Sequence, residues 1–251
     1  MHFLNAGRLR TRKAIYVPQA ADDEYMEMPV SSVLLRHDQG NVLFDTGCHP
    51  SVAQDAEARW GRMAKIIIPV MGPEDNVISS LKSMNVEPSD IDLVINSHLH
   101  TDHCGCNEFF KNATIVVHAR ELAAVRATDS WKSGYVPADW DHDNPFDLIE
   151  GERDLFGDGR IVLLPLPGHT KGSMGALVHL DRDGSFLLAS DTVPLRSNLA
   201  DEAPPLNAVD KDELLKSWNE VRHVEASGAT IICGHDESQW SGLRKGIDGY
   251  E

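Results

Sequence analysis

The 251 residues are 41% hydrophobic and carry a formal charge of −16, from 23 Lys and Arg against 39 Asp and Glu. That is enough apolar material for a substantial core in one domain spanning 1–251, while the acidic field repels nucleic acid and anionic membrane surfaces. No apolar run approaches the ~18 residues of a membrane span, and the start MHFLNAGRLRTRK lacks a signal-peptide pattern, so a cytoplasmic protein is expected. Cys48, Cys104, Cys106 and Cys233 are too few for a disulfide scaffold in a chain of this length. Cys104 and Cys106 stand one residue apart with no second pair following, which argues against a structural zinc knuckle.

Taken in order, the small basic cluster Arg8, Arg10, Arg12 and Lys13 reads as a solvated face. Residues 30–36 (VSSVLLR) and 41–45 (NVLFD) read as a hairpin around His37-Asp38-Gln39-Gly40. Residues 51–65 and 74–83 have the composition of surface helices, and 91–96 (IDLVIN) is a strand leading directly into Ser97-His98. Residues 114–118 form a strand, 119–127 a helix and 129–145 a long loop or lid. Strands resume at 160–166, 175–180 and 185–189; a helix over 211–226 places Leu214, Leu215, Trp218 and Val221 on one face, and a strand over 230–233 precedes Gly234-His235-Asp236. Strand-rich halves separated by helices indicate layered sheets covered by helices.

Four strand ends run into a side chain able to bind a metal: Asn96 before His98, Leu166 before Gly168-His169, Ala189 before Asp191, and Cys233 before His235. In His98-Leu99-His100-Thr101-Asp102-His103, two imidazoles one residue apart on an extended turn can converge on one ion, with Asp102 and His103 facing a second. His169 would complete the first set, His235 the second, and Asp191 could bridge them. Three histidines and an aspartate within six residues have few structural uses, since protonated imidazoles would repel. Imidazole with carboxylate suits zinc, iron or manganese. Isolated histidines such as His118, His142, His179 and His223 read instead as hydrogen-bonded surface or core groups.

These residues resemble the metallo-β-lactamase superfamily, whose signature H-x-H-x-D-H is followed by a histidine, an aspartate and a final histidine. The matches are His98, His100, Asp102 and His103, then Pro167-Gly168-His169-Thr170, Ser190-Asp191 and Gly234-His235-Asp236, with Asp45-Thr46-Gly47 similar to the early aspartate turn. The resemblance implies an α/β fold, an αββα sandwich of two mixed sheets with the metals at one edge. Many zinc β-lactamases have a cysteine where Asp191 stands. The chain is more similar to the N-acyl homoserine lactone lactonases, through Asn5-Ala6-Gly7-Arg8, the stretch EDNVISSLKSMNVEPSDIDLVINSHLHTDHCG and the spacing from His169 to Asp191 to His235. Pyridoxolactone-cleaving relatives are also near. Those lactonases carry a tyrosine three residues after the bridging aspartate, where this chain has Pro194, which has no donor. Tyr135 could replace it; Tyr16, Tyr25 and Tyr250 read as packing or surface residues.

The resemblance implies two divalent ions, zinc first among them, that generate a bridging hydroxide to attack a lactone carbonyl, with Asp102 passing the proton to the leaving oxygen. Asp45 or Asp236 either orients an imidazole or simply forms a turn. Met26, Met28, residues 66–71 and the loop 131–140 either line an apolar entrance or belong to the core. The expected partner is a small lactone or ester, with the protein a monomer or homodimer. Alternatives are a glyoxalase II-like thioesterase, for which Arg244 and Lys245 are the only late basic residues, a phosphoester hydrolase, an iron-dependent sulfur dioxygenase, and a non-catalytic metal binder.

Overall fold

A computed structural model describes residues 1–128 and 133–251. Two sheets stack face to face. The first contains β1 (His2–Arg12), β2 (Tyr25–His37), β3 (Gly40–Phe44), β4 (Ile68–Pro69), β5 (Leu93–Ile95), β6 (Thr114–His118) and β7 (Phe146–Ile149), in the order β4-β1-β2-β3-β5-β6-β7. The second contains β8 (Arg153–Asp154), β9 (Ile161–Pro165), β10 (Met174–Leu180), β11 (Gly184–Ser190) and β12 (Thr230–Cys233), in the order β12-β11-β10-β9-β8. Both are mixed: β3, β5, β6 and β7 run parallel, as do β11 and β12, and the other pairings are antiparallel.

Strands β5, β6, β11 and β12 read as nearly continuous apolar runs because they are covered on both faces. Val33, Leu35, Phe44, Ile95 and Val116 of the first sheet meet Leu163, Ala176, Val178, Phe186 and Leu188 of the second in the central core. The reverse face of the first sheet, through Leu4, Leu34, Leu43 and Val94, packs on Val52 and Trp60 of α1 (Val52–Trp60) and on Val77 and Leu81 of α2 (Val77–Ser83). Beyond these come α3 (Thr101–Cys104), α4 (Ala119–Ala127), α5 (Pro137–Trp140) and α6 (Arg196–Ala200). The reverse face of the second sheet, through Leu187, Ala189 and Ile231, takes Leu214, Trp218, Val221 and Val224 of α7 (Lys211–Ala226), and α8 (Glu237–Gly242) follows. Burying each such side chain contributes roughly 1.5–3 kcal/mol, so these four anchor the fourth layer. The layered sheets covered by helices that the sequence pattern indicated are arranged as the αββα sandwich that the family resemblance implied.

The hairpin, β6, α4, α7 and β12 lie where the sequence placed them. Within the expected loop over 129–145, the described part is packed rather than loose: Tyr135, Val136 and Trp140 are buried and α5 is a helical turn. Trp131, expected at the entrance, lies outside the described residues. No helix among the described residues is long and apolar enough to cross a membrane.

Candidate metal centre

The side chains singled out by the sequence sit at one edge of the sandwich, on the loops that follow β5, β9, β11 and β12. His98, His100, Asp102 and His103 come from the first sheet's side; His169, Asp191 and His235 come from the second's. All seven converge. Ligand atoms of His98, His100 and His169 form one group, those of His98, His103 and Asp191 another, and those of Asp102, His103 and His235 a third, each within 4.8 Å.

In the first group, His98 Nε2 lies 3.0 Å and His169 Nε2 3.1 Å from His100 Nδ1. One ring nitrogen cannot share a proton with two others at once, so the contact suits three lone pairs facing a cation. Desolvation holds all three imidazoles below the ordinary histidine range, His169 down to about 3, which keeps those lone pairs free. Asp191 then spans the groups: Oδ2 is 3.3 Å from His169 Nε2, while Oδ1 is 2.9 Å from His235 Nε2 and 3.5 Å from His103 Nε2. Asp102 Oδ2 stands 3.6 Å from His235 Nε2 and 3.7 Å from His103 Nε2.

The second group is electrostatically different. Burial opposes charge on His103 and His235, yet carboxylates reverse the balance: Asp102, Asp45 and Asp191 raise His103 well above its ordinary range, and Asp191 and Asp102 raise His235. Among the described residues, His103 Nε2, His235 Nε2 and Asp191 Oδ1 are buried without a hydrogen-bond partner, the 2.9 Å approach of the last two not being aligned for one. Orphaned buried polar atoms of complementary type, aimed at one point, fit a divalent cation bound by nitrogen and oxygen.

The far sides of these rings are held. His103 Nδ1 and Asp45 Oδ2 are 2.8 Å apart, and the same carboxylate accepts from Ser97 N at 2.7 Å and Ser97 Oγ at 2.8 Å. His235 Nδ1 donates to Pro29 O at 2.9 Å. Such contacts fix tautomer and ring orientation around a metal. Asp45 thus orients an imidazole, whereas Asp236 caps α8 through Gln239 N and accepts from Arg196 N. Asp45 (φ 58°) and Ser190 (φ 48°) both occupy the left-handed region at strand ends. That strain is sustained by the hydrogen bonds joining them through Ser97.

Above the centre lies a cavity of about 340 Å³, lined by His100, Asp102 and Asp191 on one side and by Ile15, Met63, Ile66, Ile67 and Val209 on the other. Ile66 and Ile67 therefore belong to the entrance, while Met28 and Met71 belong to the core. A profile of the metallo-beta-lactamase superfamily matches residues 25–235. The chain belongs to this superfamily. Among similar proteins, the N-acyl homoserine lactonase AttM of Azorhizobium caulinodans is 28% identical over 259 residues, covering 100% of this chain and 98% of that protein. The N-acyl homoserine lactonase AiiB of Rhizobium rhizogenes is 32% identical over 238 residues, covering 90% and 86%. An N-acyl homoserine lactone hydrolase solved with the product N-hexanoyl-L-homoserine at its catalytic metal center superposes with a TM-score of 0.89 at 28% identity, covering 100% of this chain and 98% of that one.

Several residues that shape this superfamily site were not read from the sequence. Glu121 is fully buried in α4 and accepts from Leu99 N (3.0 Å), Tyr135 Oη (2.9 Å), Thr170 Oγ1 (2.7 Å) and Gly172 N (3.0 Å), tying the His98–His100 loop to the His169 loop. The available signal was a carboxylate beside Leu122 and four residues before Val125, on the helix face both bury. Tyr135 is thus engaged with Glu121, and Tyr16 is the tyrosine that lines the cavity among the described residues. Pro194 serves the site through its carbonyl, which accepts from His235 N at 2.9 Å and holds the last two expected ligands together. His118 caps α4, and Arg244 pairs with Asp183 at 2.6 Å and stacks on Tyr250 outside the cavity.

Proposed function

We propose that the chain is a dinuclear metal-dependent lactonase that opens the ring ester of N-acyl homoserine lactones, releasing the N-acyl homoserine, and that residues 1–251 act as one hydrolase domain. The observation that carries this reading is the two-sided ligand set joined by Asp191 beneath a largely apolar cavity of about 340 Å³. The end-to-end similarity to N-acyl homoserine lactonases supports it. His98, His100 and His169 would hold one ion, Asp102, His103 and His235 the other, with Asp191 between; an oxygen and nitrogen set without thiolate suits zinc. Bound there, divalent cations supply Lewis acidity toward the ester carbonyl and make water a nucleophile near neutral pH.

The chain's own groups divide the remaining work. Asp102, at 7% exposure on the cavity wall, is placed to accept a proton from the attacking water and return it to the departing alkoxide of the ring. Ile15, Met63, Ile66, Ile67 and Val209 exclude water and accommodate an acyl chain. The thioesterase reading gains nothing from Arg244, whose guanidinium is paired away from this cavity.

The test is a panel of N-acyl homoserine lactones, a glutathione thioester and a phosphotriester, given to protein loaded with zinc. Ring opening of the lactone with release of one acid equivalent is expected, abolished by a chelator and lowered about 100-fold or more in Asp102→Asn. Preference for the thioester or phosphotriester, or activity indifferent to chelation, would overturn it.

A further inference from the structure

The cavity offers few neutral groups with hydrogen-bonding capacity to spare. Thr11 lines it, but its hydroxyl donates to Ile66 O at 3.0 Å; Thr101 lines it, but its hydroxyl donates to Asp139. Tyr16 and Asn207 stand differently. The Tyr16 ring is 5% exposed and packs edge-on against His235 at 5.8 Å between centroids, which sets the phenol beside the metal centre. Asn207 lines the same cavity as that phenol, and its Oδ1 is buried with no partner among the described residues. Both positions are fixed by backbone. Asn198 Nδ2 donates to Tyr16 O at 2.7 Å and Leu206 N to Ile15 O at 2.8 Å, while Val209 N donates to His169 O at 3.1 Å.

A buried amide oxygen without a donor is costly, and it is satisfied by a ligand that brings an N–H to it. An ester of the kind proposed above has such a group next to its reacting carbonyl when it carries an acylamino substituent on the adjacent ring carbon. We infer that Tyr16 and Asn207 form an amide-reading subsite: Asn207 Oδ1 accepts the N–H of an α-acylamino lactone, and the Tyr16 hydroxyl donates to the ring carbonyl that is attacked. The inference rests on the lactonase reading and adds to it the feature by which this chain separates acylamino lactones from other lactones. The two hydrogen bonds have different consequences. The Asn207 contact is made to the bound substrate and governs selectivity; the Tyr16 contact strengthens as charge develops on the carbonyl oxygen and governs turnover.

The experiment compares N-hexanoyl homoserine lactone with α-hexyl-γ-butyrolactone, which keeps ring and chain but lacks the amide, on zinc-loaded wild type, Asn207→Leu and Tyr16→Phe of equal metal content. In Asn207→Leu the ratio of kcat/KM for the acylamino over the alkyl lactone falls about tenfold. In Tyr16→Phe kcat falls about ten- to a hundredfold on both, with KM little changed. An unchanged ratio in the first variant or unchanged kcat in the second overturns the subsite. Should Asn207→Leu fail to fold, wild type decides from the substrate side: replacing the amide NH by oxygen, as in α-hexanoyloxy-γ-butyrolactone, removes the donor at unchanged chain length, lowers kcat/KM for ring opening about tenfold if Asn207 reads the N–H, and leaves it unchanged if not. Calorimetric binding of N-hexanoyl-L-homoserine separates the two readings. Wild type that binds it in an Asn207-dependent manner yet opens no lactone sinks the reaction and keeps the subsite; turnover without Asn207 dependence sinks the subsite alone.

Discussion

Replacing Glu121 with Gln alters one functional group and tests whether the two ligand loops are held by that carboxylate. Each Glu121 oxygen accepts one backbone N–H and one hydroxyl: Leu99 N and Tyr135 Oη on Oε1, Gly172 N and Thr170 Oγ1 on Oε2. An amide keeps one of those oxygens and turns the other into a donor that faces two donors. A hydroxyl can rotate away from the clash, but a backbone N–H cannot, so one buried N–H is orphaned and two charge-assisted bonds are lost. Together these cost about 2–4 kcal/mol. At 251 residues that is a drop in Tm of about 5–15 °C, since ~1 kcal/mol moves Tm by ~2–4 °C at this size. The loops released are those carrying His98, His100 and His169, so affinity for the ion they hold should fall about 10- to 100-fold. Calorimetric melts of metal-free protein and competition with a chromophoric chelator measure both. Glu213→Gln is the control, because its partner Arg120 lies at 2.9 Å on the surface and exposed pairs contribute only about 0–1 kcal/mol. A Tm lowered by less than about 2 °C, with chelator competition unchanged, would refute the clasp.

Asp45→Asn should leave the fold intact while lowering affinity for the ion on the His103 side about 10- to 100-fold, as read by metal analysis after dialysis, because it removes the carboxylate that orients His103 Nδ1. At Gly134, φ is +84° and an added Cβ would lie 2.7 Å from His100 Cδ2, so Gly134→Ala should displace that ring and lower kcat/KM at least tenfold; wild-type kinetics would contradict the packing. Acid should empty the two sites in sequence. His98, His100 and His169 are held below 6.5, His169 to about 3, so protons displace their metal only at low pH; His103 and His235 are raised above 6.5, so protons compete there from higher pH downward. One ion should therefore leave before the other as pH falls, and simultaneous release in a metal-retention profile would contradict the assignment. His49, lowered to about 4 by burial and then Arg59, adds an acid-labile term that is independent of metal: the unfolded imidazole takes a proton near 6.5 and the folded one does not, so stability declines as pH falls from about 6.5 toward 4.

How much of this was legible depended on whether the determinant was local. The helix Lys211–Ala226 and the strand Thr230–Cys233 carry their period in consecutive residues, and both could be read. The eleven-residue strand His2–Arg12 could not: the pleat sends the neighbours Phe3 and Leu4 into different cores, so both faces are apolar there, and a register shift between Asn5 and Gly7 then breaks the alternation. At the site, His98 through His103 announce themselves by crowding. Asp45 looked equally like a turn residue, and its role depends on a contact to His103 that is 58 positions distant. Glu121 was silent for the same reason, since its four donors come from three separate segments. Tyr135 could be read either as a stand-in for the donor missing at Pro194 or as a packing residue, and it is buried with its hydroxyl spent on Glu121, while Tyr16 reached the cavity through a turn that no pattern marked.

The boundary between the two sheets is also a boundary in the chain: strands up to Ile149 build the first and strands from Arg153 onward build the second. Neither half owns a complete ligand set. His98, His100, Asp102 and His103 belong to the earlier half and His169, Asp191 and His235 to the later, so any ion seated among them is a stitch across the seam as well as a reagent. Loss of metal would then loosen the docking of one half on the other. A chain cut near residue 151 should then reassemble more tightly with a divalent ion bound than without one.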